Sequence, residues 1–138
     1  MTARQSFRPA ITGTRHMISA GHYGAAHAGF CILEAGGNAV DAGVAAGICL
    51  GVLQTDIVNF AGVAPIMLWF ADRREVVTID GLGVWPRAAQ LDVFRTQHGG
   101  RMPPGLLRAV VPAAPDAWIT ALERFGTMSF GDVAQAAI

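Results

Sequence analysis

Hydrophobic residues recur at helical spacing in two consecutive segments near the start of the chain, residues 22–35 and 39–53. The marker positions are Ala26, Phe30 and Leu33 in the first segment and Val40, Val44 and Ile48 in the second. Alanines and glycines fill much of the second segment, and such small residues let neighbouring backbone approach closely. We therefore predict two helices, of which the second is buried.

The connection between these helices is predicted to be a sharp corner. Gly36 and Gly37 suit the left-handed conformation that often closes a helix. Asn38 is a suitable N-cap for the second helix, and Asp41 follows at the acidic N3 position, near the positive end of the helix dipole. The first helix should thus end, and the second begin, within two residues.

Two later apolar segments predict a β-hairpin. Residues 63–70 are nearly all apolar, which in a strand indicates that both faces are covered. Residues 72–74 form a polar turn, and residues 75–80 return as the second strand. A further short strand is predicted over residues 17–20.

The rest of the chain alternates loops with helices. We expect a loop over residues 81–86, a weak helix over 88–97 and an exposed connector over 98–105. Pro115 suits the first turn of a helix that ends at Gly126, and Ser129 with Asp132 predicts one more helix start. Buried strands between helices fit a layered sandwich of two facing sheets or a three-layer α/β fold, and periodicity does not separate the two.

Composition indicates that more protein covers part of this chain. Charged residues make up 14% and hydrophobic ones 52% of the 138 residues, whereas an ordinary soluble domain has about 25% charged residues. Too few polar side chains remain to cover the outside of a domain of this size. We expect a flexible leader over residues 1–16, and residues 17–138 as the truncated N-terminal portion of a single domain.

Charge and residue spacing exclude several classes of partner. The net charge is zero and the basic residues are scattered, which does not favour nucleic acid. Asp41, Asp56 and Asp72 interrupt the most apolar region, so no membrane span is expected. No export signal precedes residue 11, which favours a cytoplasmic location.

No cofactor or metal is expected. His22 and His27 would lie on different sides of the first helix, so they lack the spacing of metal ligands. Cys31 and Cys49 stand among apolar neighbours in helical segments and are expected to be small buried hydrophobic residues.

Four motifs together resemble the start of the large subunit of gamma-glutamyltransferases, also called gamma-glutamyltranspeptidases. They are Met-Ile-Ser-Ala-Gly-His at 17–22, Gly-Gly-Asn-Ala-Val-Asp-Ala at 36–42, Asn-Phe-Ala-Gly at 59–62 and Phe-Gly-Thr-Met-Ser-Phe at 125–130. The resemblance covers nearly the whole chain from residue 17 to 138. It implies an α+β fold, the four-layer αββα sandwich of N-terminal nucleophile hydrolases, of which this chain would be a large-subunit portion.

The resemblance also implies an activity. In the family a precursor cleaves itself, and the threonine that begins the second piece attacks an amide, with its own α-amine available as the general base. The acyl-enzyme then passes a gamma-glutamyl or related acyl group to water or to an acceptor amine. This chain would hold no catalytic residue, since Thr2 does not match the nucleophile segment, and its partners would be a small-molecule substrate, the rest of the large subunit and the small subunit.

One departure from the family pattern concerns substrate recognition. Family members commonly carry Asp-Phe-Arg-Glu after the second hairpin strand, and its arginine holds the α-carboxylate of the glutamyl group. This sequence reads Asp80-Gly81-Leu82-Gly83, so Leu82 stands at the arginine position. A carboxylate facing leucine would lose its hydration without gaining a partner.

Two interpretations of this departure stay open, and a further alternative concerns the whole protein. The enzyme could be an amidohydrolase or acylase with a non-glutamyl substrate, or Arg87 or Arg108 could reach the same pocket from elsewhere. Both arginines also suit an ordinary surface role. A non-catalytic binding or structural protein on the same fold is the remaining alternative, since fold does not determine function.

Overall fold

The structure is a computed structural model that describes residues 10–138. Its helices are α1 (Tyr23–Glu34), α2 (Ala39–Leu53), α3 (Leu91–Gln97), α4 (Ala114–Phe125) and α5 (Phe130–Ala134), its strands are β1 (Ile66–Phe70) and β2 (Glu75–Ile79), and single 3-10 turns occupy Leu106–Arg108 and Gln135–Ala137. Thr2 and most of the predicted leader lie outside the described residues. At the end of that leader, Arg15 forms an ion pair of 2.7 Å with Glu34.

The corner between α1 and α2 forms as predicted. Gly36 has a φ of 94°, and the amides of Gly36 and Gly37 donate to the carbonyls of Leu33 and Ile32 at 3.2 and 3.0 Å. These are the two hydrogen bonds of a Schellman motif. Asn38 and Asp41 then form a capping box, in which each side chain accepts a hydrogen bond from the other residue's amide.

Helix α2 is buried, as the sequence predicts, and lies at the centre of the core. Its side chains Val44, Ala45 and Ile48 pack with Trp118 and Leu122 of α4. The backbones of α1 and α2 lie close together. A Cβ at Gly29 of α1 would stand only 2.8 Å from the carbonyl oxygen of Ala42 of α2. A second cluster, formed by Ala25, Ala28, Ala46 and Cys49, joins α1 to α2.

The hairpin is confirmed, but only one of its faces is covered within the described residues. The strands pair antiparallel from Ile66 opposite Ile79 to Phe70 opposite Glu75. Ile66, Leu68 and Ile79 pack against the helical core. On the opposite side, which we call the open face, Met67, Trp69 and Val76 are 75%, 61% and 54% exposed.

Cover for the second face is therefore not supplied within residues 10–138, and burial of both faces stays a prediction. An apolar run predicts cover, but the cover must come from another layer, and the described residues supply helices on one side only. The described chain is α+β, with helices against one small sheet, and residues 10–138 do not contain the second sheet of a four-layer sandwich.

One smaller expectation also needs correction. Residues 17–20 are irregular rather than a strand, because no strand of the described chain runs beside them and Ile18 instead packs against the α1–α2 cluster. Helix α4 ends where the sequence predicts, with Gly126 as its C-cap in an extended conformation with a φ of −76°. This glycine is needed for space, since a Cβ there would stand 2.7 Å from Oδ1 of Asp41.

None of the helices within residues 10–138 has the length and apolar character of a membrane span.

Candidate functional site

A groove lies where the hairpin ends and the chain leaves β2. It has a volume of about 570 Å³ and is lined by Pro65, Ile66, Met67, Thr78, Ile79, Asp80 and Leu82. Two of the residues singled out by the sequence, Asp80 and Leu82, thus share one surface. We call this surface the Leu82 groove.

Backbone contacts hold the segment that carries Leu82 in place. Gly81 has a φ of 57°, and its carbonyl accepts a hydrogen bond from the amide of Ala64 at 2.8 Å. A Cβ at Gly81 would collide with the carbonyl oxygen of Ala64. Only glycine meets both conditions without strain, so Gly81 fixes the path of the chain beside the groove.

The other side of this segment is held in the same way. Gly83 has a φ of 76°, and a Cβ there would collide with the carbonyl oxygen of Val111. The carbonyl of Val84 accepts a hydrogen bond from the amide of Val111 at 2.9 Å. Leu82 therefore sits on a short loop that is fastened to the chain before β1 and to the chain before α4.

The polar character of the Leu82 groove comes from few side chains. Leu82 is 50% exposed, and Asp80 is exposed with no side-chain hydrogen bond or ion pair to the rest of the described chain. An anionic ligand would meet leucine and a carboxylate here rather than a cation.

Neither arginine proposed as a substitute lines the groove. The guanidinium of Arg108 donates to the carbonyls of Pro103 and Met102 at 3.0 and 3.4 Å, which ties it to its own connector. Arg87 is exposed. A role in substrate binding stays a prediction for all five candidate residues, which are Asp80, Gly81, Leu82, Arg87 and Arg108.

A buried carboxylate that the sequence identified only as a helix cap joins two distant parts of the chain. Asp41 is fully buried, and besides Asn38 it accepts hydrogen bonds from the amide and hydroxyl of Thr127 at 3.0 and 2.7 Å and from the amide of Met128 at 3.2 Å. Asn38 adds a bond of 2.7 Å from its side-chain amide to the carbonyl of Phe125. We call this arrangement the Asp41 junction.

The electrostatics of the Asp41 junction favour the ionised acid. Burial alone raises the pKa of Asp41, but the hydrogen bonds from Thr127, Asn38 and Met128 outweigh burial and lower the pKa below its ordinary value. The sequence holds one signal for the contact between Asp41 and Thr127. Each residue lies in one of the family-like motifs, at 36–42 and at 125–130.

The remaining candidates from the sequence are the possible metal ligands and the two cysteines. Within residues 10–138 no three histidine, cysteine or acidic side chains are grouped to hold a metal ion. Cys49 is buried, and burial raises the pKa of its thiol. Cys31 is exposed, contrary to expectation, because its side of α1 does not face α2.

Comparisons with known proteins agree on one family. The family model described as gamma-glutamyltranspeptidase matches residues 25–138. The acylase ACY 1 proenzyme of Pseudomonas sp. (strain V22) is 37% identical over 137 residues, covering 92% of this chain and 24% of that protein. The glutathione hydrolase-like YwrD proenzyme of Bacillus subtilis (strain 168) is 30% identical, covering 92% of this chain and 24% of that protein.

Solved structures agree with the sequence matches. The crystal structure of Helicobacter pylori gamma-glutamyltranspeptidase superimposes with a TM-score of 0.84 at 28% identity, covering 94% of this chain and 38% of that one. The chain thus spans about a quarter of the length of the curated relatives that it matches.

Proposed function

Because this chain belongs to the gamma-glutamyltranspeptidase family, we propose that it is the first part of the large subunit of a self-processing amidohydrolase or acylase. Its similarity to two proenzymes over 92% of its own length supports this assignment. The open face supports it too, since Met67 and Trp69 would be covered by a further layer of the same enzyme.

The proposed reaction breaks an amide bond through an acyl-enzyme. The hydroxyl of a threonine at the start of the second polypeptide attacks the substrate carbonyl, and its own α-amine accepts the hydroxyl proton. That proton then passes to the departing amine, and water or an acceptor amine releases the acyl group. The nucleophile lies on polypeptide outside this sequence, so this chain contributes recognition rather than bond breaking.

The Leu82 groove carries our proposal for the donor, which is an acyl group without a carboxylate at its far end. An arginine holds a carboxylate by two charge-assisted hydrogen bonds, and no arginine among residues 10–138 lines this groove. A carboxylate placed beside Leu82 would be dehydrated without a partner, at a cost of at least about 2 kcal/mol. Such a cost corresponds to a loss of roughly 30-fold in kcat/KM.

The experiment compares two anilides that differ only in this carboxylate. A gamma-glutamyl anilide and a 4-aminobutanoyl anilide are offered to the full-length, processed protein, and release of the aniline is followed. We expect kcat/KM for the 4-aminobutanoyl donor to equal or exceed that for the gamma-glutamyl donor. kcat/KM is the correct measure because it reports the steps up to acylation, whichever acceptor follows.

A substitution sharpens this comparison. Leu82→Arg should raise kcat/KM for the gamma-glutamyl donor by roughly 30-fold relative to the 4-aminobutanoyl donor, whereas Leu82→Met, which keeps the size without charge, should not. Preference for the gamma-glutamyl donor in the unchanged protein would contradict the proposal. Arg87→Ala and Arg108→Ala would then identify which arginine compensates.

The threonine mechanism has its own test. The full-length product should separate into two fragments on a denaturing gel, and the second fragment should begin with threonine. A product that stays in one piece and turns over no anilide would favour a binding or structural protein instead.

A further inference from the structure

We propose that Cys31 and His27 form a thiol-modification site on α1, at which Cys31 exchanges with small disulfides and His27 accepts the thiol proton. We call these two residues the Cys31 pair. The pair lies outside the Leu82 groove, and its chemistry is separate from the proposed amide cleavage. Neither side chain takes part in the Asp41 junction or in the ion pairs formed within residues 10–138.

The geometry of the pair is the first observation that supports the proposal. His27 and Cys31 are four residues apart in α1, so their side chains lie on the same side of the helix. Sγ of Cys31 and Nε2 of His27 are 3.6 Å apart, close enough for a proton to pass from sulfur to nitrogen. A neighbouring base that takes the thiol proton activates a cysteine as a nucleophile, and imidazole is the base used most often.

The second observation is that both side chains reach solvent. Cys31 and His27 are exposed, whereas the buried residues of α1 are Ala25, Ala28 and Gly29. Helical spacing places these two sets on opposite sides of the helix. The Cys31 pair therefore belongs to the side of α1 that points away from α2.

Helix α2 separates this side of α1 from the hairpin. Val44 and Ile48 of α2 pack in the cluster that covers the inner face of the hairpin. Ala46 and Cys49 of the same helix pack against α1. A further layer on the open face would therefore lie across α2 from the Cys31 pair and would not cover it.

The two cysteines differ in a way that decides which one reacts. Cys49 is 3% exposed, and burial raises the pKa of its thiol, which disfavours the reactive thiolate. Cys31 lies in the last turn of α1, where the free carbonyl groups of the helix end disfavour a negative charge. Solvent access alone would leave Cys31 a slow thiol, so its reactivity depends on His27.

The exchange conserves atoms and electrons. Nε2 of His27 takes the thiol proton as Sγ of Cys31 bonds to one sulfur of the disulfide, and the bond between the two disulfide sulfurs breaks. The departing sulfur takes the proton from His27 and leaves as a thiol. Cys31 is thereby oxidised to a mixed disulfide, and the departing half of the small disulfide is reduced.

Reaction with hydroxyethyl disulfide, which carries no charge, tests the site in the full-length, processed protein. Mass spectrometry then locates the added hydroxyethylthio group. We expect modification of Cys31 and none of Cys49 in the folded protein. Cys31→Ser should remove this modification, whichever other cysteines the full-length protein contains.

Variants of His27 test the proton transfer. His27→Gln should slow the modification of Cys31 roughly tenfold, less than the hundredfold or more of a positioned catalytic base. His98→Gln is the matched control, because His98 follows α3 and should leave the rate unchanged. Imidazole added to His27→Ala should restore the rate and should accelerate the unchanged protein much less, which a change in helix shape would not produce.

The outcomes separate this site from the proposed function. Cys31 that stays unmodified in the folded protein overturns the site. A rate that His27→Gln does not change, or that imidazole does not restore in His27→Ala, overturns the role of His27. The added mass is read without turnover of any amide, so failure of the proposed enzyme would leave this test intact.

Discussion

The Asp41 junction and the Leu82 groove each contain an aspartate, and the two carboxylates are used in opposite ways. Asp41 is fully buried and accepts hydrogen bonds from Asn38, Thr127 and Met128. Asp80 is exposed and has no such contacts in the described chain. The first acid is saturated by its own protein, whereas the second has its hydrogen-bonding capacity left for something else.

The difference shows how a carboxylate can be assigned to structure or to recognition. A buried acid is stable only when its oxygens are satisfied, and the described residues leave no buried side-chain nitrogen or oxygen without a partner. Such an acid has nothing to offer a ligand. An unpaired acid beside an apolar groove costs little in water and is free to gain a partner from a ligand or from a further layer of protein.

The largest expected effect comes from removing the buried acid. Asp41→Ala leaves the amides of Asn38, Thr127 and Met128 without their acceptor, so we expect a loss of about 3 kcal/mol or more in the free energy of unfolding. Urea unfolding measures it. Asp132→Ala is the control, because its cap at Ser129 is exposed and its loss should be much smaller. Equal losses would show that Asp41 is only a helix cap.

A smaller effect is expected at the glycine that holds the groove. Gly81→Ala meets both a positive φ and a collision with Ala64, whereas Gly99→Ala meets a φ of 59° with no atom within 4 Å. We expect Gly99→Ala to cost about 1 kcal/mol and Gly81→Ala roughly twice as much. Unfolding in urea gives both values, and equal costs would mean that the loop can shift.

The smallest effect is the pH dependence that Asp41 contributes. Its folded pKa is lowered, so the unfolded state binds the proton more readily. The stabilisation is complete above the ordinary aspartate pKa of 3.8 and is lost as pH falls through the lower folded value. Asp41→Asn should flatten this acid limb in unfolding measured at several pH values, and an unchanged limb would assign it to other acids.

Local structure was predictable because it depends on residues close together in the chain. The corner at Gly36 and Gly37, the capping boxes of Asn38 and Ser129, and the hairpin around residues 72–74 each form from neighbours within a few positions. The motifs at 17–22, 36–42, 59–62 and 125–130 carried enough information to identify the family, which the comparisons confirm.

Contacts between distant segments were not predictable in this way. Asp41 reaches Thr127 across 86 positions, and nothing in the helical spacing around Asp41 distinguishes a cap from a junction. The predicted strand over 17–20 was wrong because strand formation needs a partner, and cover for the second face of the hairpin needs a further layer that residues 10–138 do not supply. Both depend on other segments.

The sequence by itself determined the helices, their caps, the hairpin and the replacement of an arginine by Leu82. Only the tertiary structure decided that Asp80 and Leu82 line one groove to which no arginine of the described residues contributes, and that Asp41 is enclosed while Asp80 is not. The physical reason is that spacing along the chain encodes which face a side chain takes. What that face then meets depends on how separate segments pack.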